Sequence, residues 1–349
     1  MKRARTIQTN TTAAELSSAV PPVEALPRPS RVHLSFQQRL WFLLRLAGGS
    51  EACHIQIGLQ LRGEADEAVL RPALDGLEAR HEVLRSTFGL EDGEPFQRVR
   101  PTDAGLRLKR DDLRAAADVE VVLKALMSHE TQHVVFDLEA GPLIRGWLLR
   151  VAMYDHVPLI TMHHMVSDRW SRKVLVRELS ELYAAAREGR ADRLARLVVQ
   201  YTDHAFWRRR WLTGQVVESQ AEYWLRILGP APAALTLPPN WPRPAQQEFS
   251  GRYFEFVLHE PLTTQLKALS RFHGTTLFVA LLAGWALMLA RPSGQDELVI
   301  GTSTTSRMRS ESEGLIGFFG NTLALRMDLS GDPTLETLLQ RVDATALGG

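Results

Sequence analysis

The sequence predicts a mixed α/β protein of two lobes, and three observations carry that prediction. The chain has 349 residues, more than the roughly 250–300 at which a single core stops growing. Its 45% hydrophobic and 23% charged residues match a globular composition. Stretches of strand-like alternation interleave with helical periods along most of the chain, the signature of an α/β architecture.

Residues 1–30, rich in Ser, Thr, Ala and Pro and ending in PPVEALPRPS, predict a disordered linker. HLSFQQRLWFLLRL (33–46) places Leu40, Leu43 and Leu44 at helical spacing. HIQIGLQLRG (54–63) alternates like a strand, and Glu64–Arg80 returns to a helical period through Leu70, Leu74 and Leu77. FQRVR (96–100) reads as a strand and Val119–His133 as a helix. GPLIRGWLLRVAMYDHVPLITMHH (141–164) reads as two strands joined at Tyr154–Asp155, followed by an amphipathic helix over Ser171–Ala186. The polar stretch AREGRADRLAR (186–196) marks the lobe boundary, giving lobes at 31–190 and 191–349. YTDHAFWRRRW (201–211) opens a long helix ending near Gly229, and the proline-rich 230–244 is an extended crossing. YFEFVL (253–258), ELVIG (297–301) and NTLALRMDL (321–329) predict strands, with helices over Pro261–Phe272 and Thr276–Ala290.

Forty-one basic against forty acidic residues leave a net charge of +1, which argues against a general nucleic-acid binder. Cys53 is the single cysteine, so no intramolecular disulfide or thiolate zinc site is expected, and a cytoplasmic chain fits. The early basic residues are not followed by an apolar stretch, so they do not read as a secretory leader. The longest apolar run, LFVALLAGWALMLA (277–290), falls short of the ~20 residues that span a bilayer, so no membrane partner is expected.

The segment TMHHMVSDRW (161–170) carries the chemistry. Successive strand side chains point to opposite faces, so His163 and His164 do not converge on one metal ion, and no metal is expected. Two readings of the pair stay open: inert histidines closing a strand, or one catalytic imidazole whose loop Asp168 braces.

The segment resembles the HHxxxDG signature of the condensation domains of nonribosomal peptide synthetases, relatives of chloramphenicol acetyltransferase. Four further segments are similar to that family's motifs, in its order: LSFQQRLWFL (34–43), RHEVLRSTF (80–88), YTDHAFWRRRW (201–211) and IGFFGNTLALR (316–326). The resemblance implies two acyltransferase-like lobes in a V with a tunnel at their junction. It implies amide-bond formation between a donor acyl or peptidyl thioester and an acceptor aminoacyl thioester. Both ride on phosphopantetheine arms of donor and acceptor peptidyl carrier proteins, next to an adenylation domain, with no cofactor bound directly. His164 is then the tunnel-facing imidazole, His163 packs or braces the loop, and Asp168 forms a salt bridge with Arg80 or Arg85. Trp207 packs the lobe junction, and Asn321 either donates near the tunnel or closes a strand. GTSTTSRMRSESEG (301–314) corresponds to the loop flooring the tunnel.

Three departures qualify the match. Arg169 replaces the motif glycine, and either narrows the passage or points outward. SFQQRLW is one residue shorter than the family's usual opening motif. The family's later HQDxPFE-like motif is absent, so an incomplete second lobe is expected, with Leu281, Leu282, Trp285 and Leu289 short of packing and the chain marginally stable. Two other functions compete: a free-standing acyl-CoA-dependent acyltransferase, and a non-catalytic remnant that docks carrier proteins.

Overall fold

The computed structural model describes residues 21–28, 31–46, 54–63, 66–102, 105–106, 108–132, 134–238, 254, 256–307 and 309–348. Residues 1–20, Cys53 and residues 239–244 of the proline-rich crossing lie outside these. The chain divides into two compact units. The first takes the chain through Leu212 and again Thr305–Phe319; the second takes Thr213–Thr304 and the chain from Gly320 on. This differs from a break at 190/191, because the helix over Tyr201–Trp211 folds with the first unit.

In the first unit, β1 (Val32–His33), β4 (Ser86–Glu91) and β5 (Glu94–Val99) form a three-stranded antiparallel sheet in the order β1-β5-β4. A second sheet holds β2 (His54–Gly58), β3 (Leu61–Arg62), β6 (Leu108–Asp112), β7 (Ile144–Ala152) and β8 (Asp155–His163), in the order β2-β8-β7-β6. β3 also pairs β8, so 54–63 forms two short strands on one neighbour where the alternation predicts one. The β6–β7 pairing is parallel and β7–β8 antiparallel, with the hairpin turning at Met153–Tyr154, one residue before the expected Tyr154–Asp155.

Helix α1 (Phe36–Leu46) precedes β2, and α2 (Glu67–Arg80) packs on α4 (Arg169–Glu188). Helix α3 (Val119–Gln132) covers β2 and β8. One core joins the sheet side chains Leu148, Ile160 and Met162 to Leu74 and Leu77 of α2, Leu175 of α4, and Ile316 and Phe319 of the returning segment.

Two sequence expectations fail here for local reasons. The long helix from 201 is two: α5 (Tyr201–Trp211) and α6 (Gln215–Leu228), broken at Gly214, whose φ of +52° a helix interior excludes. The lead-in 21–28 is not a linker. Val23 joins the core, Trp207 Nε1 donates to the Pro21 carbonyl at 3.0 Å, and Arg28 pairs with Asp203 and Glu82.

The second unit holds α6, α7 (Glu260–Phe272), α8 (Leu277–Ser293), α9 (Leu335–Gly348) and the pair β9 (Glu297–Thr305) and β10 (Gly320–Asp328). The described residues of 253–258 are not in a strand, and Phe254, Phe256, Val257 and Leu258 are exposed. Of the four α8 side chains expected to lack packing, Leu281 and Trp285 are exposed and Leu289 half-buried, but Leu282 is buried in this unit's core. Among the described residues no single helix is long and apolar enough to cross a membrane.

Candidate active site

The site is built where β8 ends. His163 is the strand's last residue and sits in register opposite His54. Its ring packs edge-on against His54 and Phe136, and its Nδ1 accepts the Met165 N–H at 3.1 Å. That bond caps a short 3₁₀ turn, His164–Val166, so His163 is committed to shaping the loop.

His164 leaves the strand and enters this turn, so strand alternation no longer governs it, and its ring meets different neighbours from those of His163. Its Nδ1 lies 3.0 Å from the Ser167 carbonyl oxygen, which can only accept. Nδ1 therefore carries the proton and Nε2 is the basic nitrogen. The half-buried ring meets the Phe318 ring edge-on at 4.8 Å. Burial pushes its pKa below the usual histidine value, against the Ser167 carbonyl and the Asp168 charge, which favour the cation. The imidazole is thus neutral at physiological pH.

Asp168 does not act through a free oxygen. It is the N-cap of α4, and its Oδ1 accepts from Ser171 N and Ser171 Oγ, each at 2.7 Å. Its Oδ2 accepts the Phe319 N–H at 3.1 Å, and Arg307 Nη2 reaches both oxygens at 3.3 and 3.5 Å. The buried salt bridge is therefore with Arg307, and neither Arg80 nor Arg85. Arg80 binds Glu178 and the Ala195 carbonyl, while Arg85 donates to the Arg100 carbonyl. Arg307 lies in the hydroxyl-rich loop, where nothing in the sequence separates it from an ordinary solvated cation. It stacks over the Phe319 ring at 3.7 Å and donates to the Ser312 and Leu315 carbonyls.

The segment 305–319 closes the site from behind, and sequence reasoning missed how it is fastened. Ser171 Oγ accepts the Gly317 N–H at 3.0 Å and lies 2.9 Å from the Gly317 oxygen. Tyr201 OH donates its one hydrogen to the Phe318 carbonyl at 2.7 Å and so accepts from Ser35 Oγ at 2.9 Å. Trp170 Nε1 donates to the Glu313 carbonyl. A Cβ at residue 317 would sit 2.1 Å from the Tyr201 ring, so this glycine is required by close approach. The glycine in IGFFG was the available signal.

The other expected residues fall elsewhere. Arg169 begins α4 with its side chain exposed. Among the described residues the non-glycines with positive φ are Asp92 and Asp332, so position 169 does not need glycine. Trp207 is buried within the first unit, stacked on Trp211 at 5.7 Å. Asn321 is exposed at the start of β10 in the second unit. Among the described residues no group of three or more His, Cys, Asp or Glu is placed to hold a metal ion.

A half-buried neutral imidazole, fixed in tautomer and backed by a fully engaged carboxylate, suits hydrogen bonding to an attacking nucleophile and transfer of its proton. Comparison with known proteins points the same way. The condensation domain family matches residues 31–349. Malpinin synthetase of Mortierella alpina is 44% identical over 96% of this chain and 4% of its own length. The chondramide synthase of Chondromyces crocatus is 39% identical over 93% of this chain and 8% of its own length. The chain thus spans about 4–8% of the length of these relatives. The X-domain complexed with OxyB from teicoplanin biosynthesis superposes with a TM-score of 0.81 at 30% identity, covering 94% of this chain and 73% of that one. The first condensation domain of the calcium-dependent antibiotic synthetase shares the fold, with a TM-score of 0.74 at 22% identity over 92% of this chain and 74% of that one. The fold is chloramphenicol acetyltransferase-like, and the chain belongs to the condensation-domain family.

Proposed function

We propose that this chain forms an amide bond between a donor acyl or peptidyl thioester and the amine of an acceptor aminoacyl thioester. Both substrates are presented on phosphopantetheine arms by donor and acceptor carrier proteins, with an adenylation domain as neighbour and the cytoplasm as the setting. The observation that carries the reading is the His164 ring, held neutral with Nε2 as its basic nitrogen.

In the proposed reaction the uncharged acceptor amine attacks the donor carbonyl carbon. A C–N bond forms as the carbonyl electrons move onto oxygen. His164 Nε2 accepts a hydrogen bond from the amine, orients its lone pair and takes its proton. The tetrahedral adduct collapses, the C–S bond breaks, and the proton ends on the departing thiolate. His164 is the catalytic residue in this scheme. His163 and Asp168 position it, through the 3₁₀ turn and the α4 cap respectively.

The test loads donor and acceptor carrier proteins and follows amide product on the acceptor arm by mass spectrometry. Product with the wild-type chain that falls about 100-fold or more in His164→Ala, with folding retained, is the expected result. Product from free acyl-CoA alone would indicate the acyl-CoA-dependent acyltransferase instead. Carrier binding without turnover would indicate a docking remnant.

A further inference from the structure

Behind the site lies a second buried histidine that the proposed reaction does not use. His81, from the RHEVLRSTF motif, is 1% exposed, between the end of α2 and the 3₁₀ turn Glu82–Arg85. Its Nε2 is 2.6 Å from Glu178 Oε2 on α4, and its Nδ1 receives the Ile316 N–H at 3.4 Å. Ile316 N–H is only a donor, so Nδ1 must accept and the ring's hydrogen must sit on Nε2, donating to Glu178. Glu178 is itself fixed by Arg80 Nε at 3.0 Å and lies 3.5 Å from Arg177 Nη2. Burial alone would raise its pKa, but the hydrogen bonds from His81 and Arg80, with the Arg80 charge, hold it below the usual glutamate value.

We infer that His81 is a positioning residue for His164, acting by fixing the Ile316 amide and so the segment that carries Arg307, Phe318 and Phe319. The chain of contacts is short. Glu178 orients His81, and His81 holds Ile316. The next residues place Gly317 on Ser171, Phe318 against His164, and the Phe319 amide on Asp168. This inference rests on the proposed role of His164.

The link has a protonation limit built into it. An imidazolium carries hydrogens on both nitrogens, so a protonated His81 would point Nδ1–H at the Ile316 N–H and break the bond. The charged and titratable groups around it are Glu178 and Arg177 from α4, with Arg80 and Glu82 beside it in its own chain; the segment 305–319 contributes the Ile316 amide. Burial pushes the His81 pKa below the usual histidine value, against the pull of Glu178, and Arg80 and Arg177 add to the effect of burial. The neutral, bonded form is therefore the working one at pH 7.

Two near-isosteres separate the two bonds. The Asn amide oxygen approximates Nδ1 and can still accept from Ile316, whereas the Gln amide nitrogen approximates Nε2 and keeps only the bond to Glu178. We expect His81→Asn to retain kcat within about threefold and His81→Gln to lose about 10- to 100-fold in kcat with acceptor KM little changed. Amide hydrogen exchange, corrected for intrinsic rates, supplies a readout independent of catalysis. Protection over Ile316–Phe319 should fall in His81→Gln and hold in His81→Asn. Equal kcat losses in both variants, or protection unchanged in both, would overturn the inference. If the wild type makes no amide product, the proposed function fails, and the exchange measurement still decides the His81 link.

Discussion

Asp168 gathers Ser171, Arg307 and the Phe319 amide onto two oxygens, so its charge is spent on architecture. Arg307 loses most by separation, since burial depresses its pKa and Asp168 is the main group that opposes that shift, ahead of Tyr201. Removing one partner of such a buried pair costs about 3–5 kcal/mol, because the other charge stays buried without compensation. Arg307→Ala should therefore lower the denaturation free energy by about that amount. Asp168→Asn with Arg307→Ala should cost less than the sum of the single changes, by about 1–3 kcal/mol. Urea midpoints of the four proteins check this, and strict additivity would show the pair to be uncoupled. The salt bridge was legible from the motif, but its partner was not. Arg307 lies 139 residues away in sequence, in a loop with no period to betray burial.

At the scale of elements, the segment 21–28 behaves as a strap on α5. Arg28 forks onto Asp203 at 2.5 and 2.8 Å, reaches Glu82 at 2.8 Å, and the Leu26 amide also donates to Asp203. Asp203 in turn closes the capping box of α5, the helix that presents Tyr201 to Phe318. Arg28 is about a third exposed, so the loss in Arg28→Ala should be smaller than for Arg307, about 1–3 kcal/mol. Arg28→Lys should not restore it, because an ammonium cannot match both carboxylate oxygens. Faster limited proteolysis between residues 20 and 31 in both variants is the expected readout. Composition hid this element: prolines that mark a linker also pre-set an extended backbone, which lowers the entropy lost when the strap docks. Periodicity served best where one face is buried and one is not, as in α4 and the β7–β8 hairpin. It failed at β4, whose first four residues are all buried, leaving no alternation to read.

For the molecule as a whole, the buried histidines set an acid limit on stability. His81, His164 and His204 all lie in the first unit, and burial is the leading cause of each depressed pKa. His204, within an aromatic group of Tyr201, Trp207 and Phe319, is pushed down to about 3. The unfolded chain binds protons at these rings near pH 6.5, before the folded chain does, so stability rises with pH in this window and is lost as pH falls. Each ring that stays neutral in the folded state contributes a slope of about 1.4 kcal/mol per pH unit. His204 alone supplies that slope from about one unit below the ordinary histidine pKa down to about pH 3. Denaturant midpoints between pH 7 and 5, above the range where most carboxylates titrate, should therefore fall by an amount equivalent to at least about 1 kcal/mol per unit. His204→Phe preserves an aromatic ring and removes one titration, so its slope over this window should be shallower by about 1 kcal/mol per unit. A wild-type profile flat across this range would mean that these rings bind protons equally well folded and unfolded, and would remove the physical basis for a neutral imidazole at residue 164.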